Sequence, residues 1–220
     1  MDQIEQAIRI QAGTVTLEGD LNIPETGHGI VVFAHGSGSS RYSPRNRSVA
    51  RMLQRAGFGT LLMDLLTADE ERIDAQTAHL RFDIPLLAER LLRATDWLAG
   101  EPSVEKLRIG LFGSSTGAAA ALVAAAERPE MVKAVVSRGG RPDLAGSAIL
   151  RRVQAPTLLI VGGRDAPVID VNRDALQQLA GEKALDIVPG ASHLFEEPGA
   201  LEEVARLAAE WFRRHLGASV

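Results

Sequence analysis

Residues 113–117 read Gly-Ser-Ser-Thr-Gly, a G-x-S-x-G pattern set between an apolar run and an alanine-rich one. The glycines leave room for a sharp, strained turn from strand to helix, which exposes one side chain at its tip. The pattern selects Ser115 for that tip, not Ser114. A helix starting beneath Ser115 points its free N–H groups at the same spot and favours negative charge there. The pentapeptide alone reads equally as a Gly/Ser helix cap or a phosphate-binding turn. A serine hydroxyl attacks a carbonyl only when a neighbouring base takes its proton, so the histidines decide what this turn can do.

The sequence has five histidines. His28 precedes a predicted strand, His79 sits in a polar stretch, and His215 lies in the last predicted helix. Only His35 and His193 follow strands. His193, in VPGASHLF, is the better base, because a loop between the last strand and the last helix can reach back over the sheet edge. Alone it would read as a surface loop residue. Asp165, in LLIVGGRDAPV, gives it support. A carboxylate there can accept from the imidazole, fix its tautomer and stabilise the imidazolium. Its plainer reading is an N-cap for the helix that follows. The glycine-rich run HGSGS, 35–39, completes the set. Its Ser37 N–H, together with the Thr116 N–H, is expected to form an oxyanion hole. His35 is expected to be structural, bonding the loop backbone.

These residues need a scaffold that brings strand ends together. Two β-segments, Glu5–Ile10 and Thr14–Asn22, meet at a hairpin signal, Ala12-Gly13. Short apolar runs then predict strands at Gly29–Ala34, Gly59–Asp64, Lys106–Phe112, Val132–Ser137, Thr157–Val161 and Ala184–Val188. Between them, helices are predicted after Ser43-Pro44 up to Gly57, then at Phe82–Ala99, Ser115–Glu127, Val168–Ala180 and Gly199–Leu216. Residues 65–80 are polar and receive no assignment. Repeated strand–helix units after an antiparallel start imply an α/β fold, a mostly parallel sheet with helices on both faces. Ligands of such sheets sit beyond the carboxyl ends of the strands, where Ser115, Asp165, His193 and HGSGS all fall.

Composition narrows the class. With 45% hydrophobic residues and 24% charged, the chain can bury a substantial core. A formal charge of −4 without a basic run argues against nucleic acid as a partner. No apolar run approaches the roughly 20 residues of a membrane span, and the polar MDQIEQAIRIQAG start lacks a signal-peptide core. The expectation is a cytoplasmic protein with no membrane partner. Cysteine is absent, which removes disulfides and a Cys nucleophile.

Together, HGSGS, GSSTG, GGRDAPV and GASHLF resemble the α/β-hydrolase superfamily over essentially the whole chain. The order Ser…Asp…His is the one that superfamily uses. AHGSGSSRYSPRN and MDLLTADEE…HLRFDIPLLAERL resemble its small dienelactone hydrolase-like branch, including members related to the hydrolase part of phosphoribosyltransferase fusions. The resemblance implies one α/β-hydrolase domain over 1–220, a Ser115–His193–Asp165 triad and no cofactor or metal. Dienelactone hydrolases proper use a cysteine nucleophile, so the expected reaction here is serine-based hydrolysis of small carboxylic esters. A thioesterase or small peptidase with the same triad, or a silent binding scaffold, are the alternatives. Only Arg138–Gln154 separate two strands where larger relatives insert a cap domain, so no cap and a rather open pocket are expected.

Arginines crowd the expected active edge: Arg41, Arg138, Arg141 and Arg164. Arg138, at a strand end in SRGGRP, is the preferred binder of a substrate carboxylate or phosphate, with Arg41 second. The plainer expectation is pairing with Asp64, Asp143 or Glu70. Asp64 and Glu70-Glu71 are expected on a solvated face rather than in the pocket. Oligomeric state is not legible in the sequence.

Overall fold

The computed structural model describes residues 5–23, 27–104 and 106–217. β1 (Glu5–Ala12) and β2 (Val15–Asn22) form a hairpin closed at Gly13. β2 pairs antiparallel with β4 (Gly59–Met63). From there the sheet is parallel: β4, β3 (Ile30–Ala34), β5 (Ile109–Ser114), β6 (Val132–Arg138), β7 (Thr157–Gly162) and β8 (Lys183–Val188). The eight strands lie in the order β1-β2-β4-β3-β5-β6-β7-β8. This is the α/β-hydrolase architecture, with the antiparallel strands at the N-terminal edge.

Alternation along the central strands feeds two cores. In β3, Ile30, Val32 and Ala34 face one layer, while Val31 and Phe33 face the other. The first layer is built on α3 (Ile84–Ala99) and α4 (Thr116–Glu127), and the second on α1 (Pro44–Arg55) and α7 (Ala200–Leu216). A strand buried on both sides must be apolar throughout, which is why β3 and β4 read as unbroken runs. α1 starts as its sequence dictates. The Ser43 hydroxyl accepts from Asn46 N–H, and Pro44 fills the first turn, where no donor is needed. α6 (Ala166–Gln178) flanks β7 and β8.

Two segments add detail to the sequence reading. The unassigned stretch contains α2 (Ala68–Thr77), opened by a capping box between Thr67 and Glu70; a 3₁₀ turn at Leu80–Phe82 follows, so the helix expected from Phe82 starts at Ile84. Between β6 and β7 there is only a 3₁₀ turn, Pro142–Ala145, and the four-residue α5 (Ser147–Leu150). Among the described residues no helix is long and apolar enough to cross a membrane.

Candidate active site

Ser115 sits between β5 and α4 with φ +50° and ψ −119°, a backbone conformation that residues with a Cβ seldom adopt. Such strain costs about 1–3 kcal/mol and persists only where the surroundings enforce it. Here they do. Ser115 N–H donates to Arg138 C=O at 3.2 Å, and Ser115 C=O accepts from Ala118 and Arg141 N–H, each at 3.1 Å. The flanking glycines are a steric necessity. A Cβ on Gly113 would stand 2.4 Å from Ala118 Cα, and one on Gly117 would stand 2.3 Å from Ala34 O. Ser114 points into the α1 layer, buried, with its hydroxyl 3.1 Å from Asn46 Oδ1. The partly buried Ser115 is thus the serine at the tip of the turn.

Asp165 follows β7 at the head of α6, yet its side chain makes no capping bond. Its Oδ2 lies 2.6 Å from His193 Nδ1. A carboxylate only accepts, so Nδ1 carries the proton and Nε2 is left as the basic nitrogen. Asp165 is mostly buried, with 14% of its side chain exposed, and His193 is open at 39%. The two loops are laced together: Gly163 N–H donates to Val188 C=O at 2.8 Å and Arg164 N–H to Ala191 C=O at 3.0 Å. His193 Cε1 lies 3.5 Å from where a Cβ on Gly139 would stand, next to the Arg138 carbonyl that holds Ser115. Among the described residues no hydrogen bond joins the Ser115 hydroxyl to His193.

Across from them, the glycine-rich turn after β3 packs onto the elbow, with the Cβ position of Gly36 only 3.1 Å from Ser115 Cβ. The Ser37 and Thr116 hydroxyls are 3.0 Å apart. Neither residue's backbone N–H donates to a protein acceptor among the described residues. His35 anchors this turn. Its Nδ1–H donates to Gly36 C=O and its Nε2 accepts from Leu65 N–H, both at 3.0 Å. Burial holds its pKa below the usual 6.5, against the pull of the Gly36 carbonyl and Asp64.

The dienelactone hydrolase family model matches residues 17–216. The chain belongs to the dienelactone hydrolase family. A dienelactone hydrolase from Anabaena variabilis is 64% identical, with a TM-score of 0.95 over 97% of this chain and 98% of that one. A Mycobacterium tuberculosis protein named as a phosphoribosyl transferase is 58% identical over 212 residues, 96% of this chain but 47% of that protein. The chain therefore spans about half the length of these curated relatives. Est1E from Butyrivibrio proteoclasticus shares the fold at 16% identity, with a TM-score of 0.79 over 94% of this chain and 98% of that one.

In this dienelactone hydrolase family member a cavity of about 510 Å³ adjoins the elbow through Gly36, Ser37 and Thr116. Ser115 and His193 are not among its lining residues. Several of its lining residues come from the stretch the sequence left unassigned, Leu66, Glu71, Asp74 and Ala75, with Arg81 just after it. Asp74 is buried, accepts from Leu80 N–H at 2.8 Å and pairs with Arg81 Nε at 2.6 Å, which fixes α2 to the 3₁₀ turn. Glu71 faces the cavity rather than bulk water, and burial, then Asp64, raise its pKa. Glu70 is used in the cap of α2 and pairs with Arg90 at 2.9 Å.

The arginines divide. Arg41 does not face the cavity as expected of a substrate binder. Its guanidinium pairs with Asp64 and with Glu18 at 2.6 Å, and Asp20 lies 3.8 Å away. Three carboxylates, from β2 and just past β4, thus hold it against the sheet edge. Arg141 pairs with Asp143 at 2.6 Å, and Arg164 with Glu197. Arg138 alone of the four has no acidic partner among the described residues, although it is only 7% exposed.

Proposed function

We propose that the protein is a serine hydrolase of small carboxylic esters, linear or cyclic, acting through Ser115, His193 and Asp165. The observation that carries this reading is the 2.6 Å Asp165–His193 bond, which leaves Nε2 unprotonated in a chain whose Ser115 is held at φ +50° at the head of α4. In the proposed reaction His193 Nε2 takes the Ser115 hydroxyl proton as Oγ bonds the substrate carbonyl carbon. The carbonyl oxygen becomes an oxyanion held by the Ser37 and Thr116 N–H groups. His193 returns the proton to the leaving alkoxide; the alcohol of a linear ester departs, and that of a cyclic ester stays tethered to the acyl group. Water, deprotonated by His193, then attacks the acyl-enzyme, and Ser115 recovers its proton as the acid leaves. Asp165 keeps the imidazole in the tautomer that makes Nε2 the base.

Membership of the dienelactone hydrolase family and the dienelactone hydrolase name of the Anabaena relative support this class. The phosphoribosyl transferase name belongs to a protein of about twice the length, of which this chain covers 47%. The roles proposed for Ser115, His193 and Asp165 suit acyl transfer rather than that reaction. The deciding experiment is labelling with a fluorophosphonate, with the site mapped by mass spectrometry, beside a panel of esters, thioesters and lactones. Wild type and Ser114→Ala should label at residue 115, and Ser115→Ala should neither label nor turn over. Equal labelling of Ser115→Ala, or no hydrolysis across the panel, would overturn the proposal.

A further inference from the structure

Asn172 lies on the buried face of α6 with Val168, Ile169 and Ala175, and is itself 0% exposed. Stability alone gives little reason for an amide there. Asparagine favours a helix interior less than alanine or leucine does. Its Oδ1 has no hydrogen-bond partner among the described residues, which costs free energy in a dry interior. The bonds it does make all run from one nitrogen. Nδ2 donates to Val168 C=O at 2.7 Å, within the helix, and to Gly140 C=O at 2.9 Å, outside it. Both partners are acceptors, so the NH₂ end of the amide must face them.

The second of these bonds lands on the turn that ends β6, residues 138–141. That turn meets each part of the candidate triad. Arg138 C=O accepts from Ser115 N–H, and Arg141 N–H donates to Ser115 C=O. A Cβ on Gly139 would stand 3.1 Å from the His193 carbonyl oxygen and 3.5 Å from its ring. Asn172 supplies the third link. It lies seven residues beyond Asp165, about two helical turns, on the same face of the helix that Asp165 heads. Gly139, at φ +51°, and Gly140 are the least restricted residues a backbone can offer, so their tethers decide where the turn comes to rest. Gly139 N–H donates to Ile160 C=O at 2.8 Å, which ties the turn to β7, and Arg141 N–H ties it to the elbow. The Asn172 bond ties it to the helix that carries the acid.

We propose that Asn172 is a positioning residue: by joining α6 to the 138–141 turn, it sets the Asp165–His193 pair in place relative to Ser115. The proposal rests on the reading of those three residues as a triad. A misplacement of about 1 Å, even from a change far from the chemistry, slows a reaction about a hundredfold. It does so without weakening the binding of substrate. A side chain that merely filled its place in the helix would change stability and leave the rate of the folded protein alone.

Two variants test this. Asn172→Leu keeps the shape of the side chain and removes its donors. Asn172→Ser keeps a hydroxyl for Val168 C=O, is too short to reach Gly140, and guards against a folding defect in the first. Measured well below the melting temperature, each should lower kcat for p-nitrophenyl acetate about ten- to hundredfold and leave KM nearly unchanged. The rate of fluorophosphonate labelling at Ser115 should fall by the same factor. The downfield proton resonance of the His193 Nδ1–H should persist in both variants, because the bond to Asp165 does not run through Asn172. A lowered melting temperature with wild-type kcat and labelling rate overturns the positioning role. So does a loss confined to KM, or disappearance of the downfield resonance along with the rate, which would place the effect inside the Asp165–His193 pair. These outcomes leave the triad standing. A wild-type protein that does not label at Ser115 overturns the triad reading, and the positioning role falls with it.

Discussion

His193 Nδ1 and Asp165 Oδ2 lie 2.6 Å apart, although they come from loops after different strands, β8 and β7. The bond uses the proton that would otherwise be free to sit on either ring nitrogen. Asp165→Asn keeps the shape but offers its amide N–H as a donor, which favours the tautomer with the proton on Nε2. kcat for an ester should fall by about three to four powers of ten, with little change in melting temperature. A loss below tenfold in steady-state assays would show that the pair does not orient a base.

Glu197 bridges the same two loops from outside. Its carboxylate accepts from Ser192 N–H at 3.0 Å and pairs with Arg164, so it joins the residue before the base to the residue before the acid. The Ser192 N–H, more than any other group, draws its pKa down to about 2, and the bridge stays charged across the working range of pH. Glu197 is a positioning residue in this account. Glu197→Ala should lower kcat about ten- to hundredfold, as a misplaced reacting group does, and leave KM nearly unchanged. Glu197→Gln retains an oxygen for Ser192 and should recover most of the rate. A matching fall in both variants, or a change confined to KM, would rule out the positioning role.

Most of the scaffold is legible in the sequence because its strands and helices carry the periodicities that burial imposes. α2 lacks that signal: its one buried residue is Asp74, and Ile73 is 54% exposed. A helix held by a carboxylate rather than an apolar stripe leaves no hydrophobic pattern. Its trace is local, the T-x-x-E of Thr67 and Glu70, which a search for capping boxes would have found. The strand-end residues of the candidate site are legible for the same reason the fold is, since G-x-S-x-G forces a backbone shape. The fate of Arg41 is legible only in part: pairing with Asp64 is the plainer sequence reading and is what the structure holds, but the share taken by Glu18 and Asp20 is not. Its partners Glu18, Asp20 and Asp64 meet only once β2 pairs with β4 in a particular register.

The elbow makes a steric prediction that separates two glycines. A Cβ on Gly117 would meet Ala34 O at 2.3 Å and His35 O at 2.5 Å, both backbone atoms that cannot swing away. A Cβ on Gly13 meets nothing within 4 Å, and only its φ of +63° resists substitution. Gly13→Ala should cost about 1 kcal/mol. Gly117→Ala should cost about 4 kcal/mol or more and abolish fluorophosphonate labelling by pushing the turn after β3 off Ser115. Urea unfolding of both variants checks the order, and equal midpoints would contradict it.

His35 couples the same turn to pH. Its folded-state pKa lies below 6.5, chiefly because burial disfavours the charged ring. Above pH 6.5 the ring is neutral in both folded and unfolded chains and contributes no pH dependence. As pH falls below 6.5, the unfolded chain takes up a proton that the folded chain refuses, so stability drops by up to about 1.4 kcal/mol per pH unit. The drop ends once the folded ring also titrates, which breaks the bond from Leu65 N–H. His215 is shifted the same way, by burial and then by Arg214 against the pull of Glu182, so wild-type data alone do not isolate His35. His35→Gln removes the titrating group while an amide oxygen can still accept from Leu65. Unfolding free energies measured from pH 8 down to pH 5 should therefore decline more steeply for wild type than for His35→Gln. Parallel curves would mean that His35 titrates alike in the folded and unfolded chains.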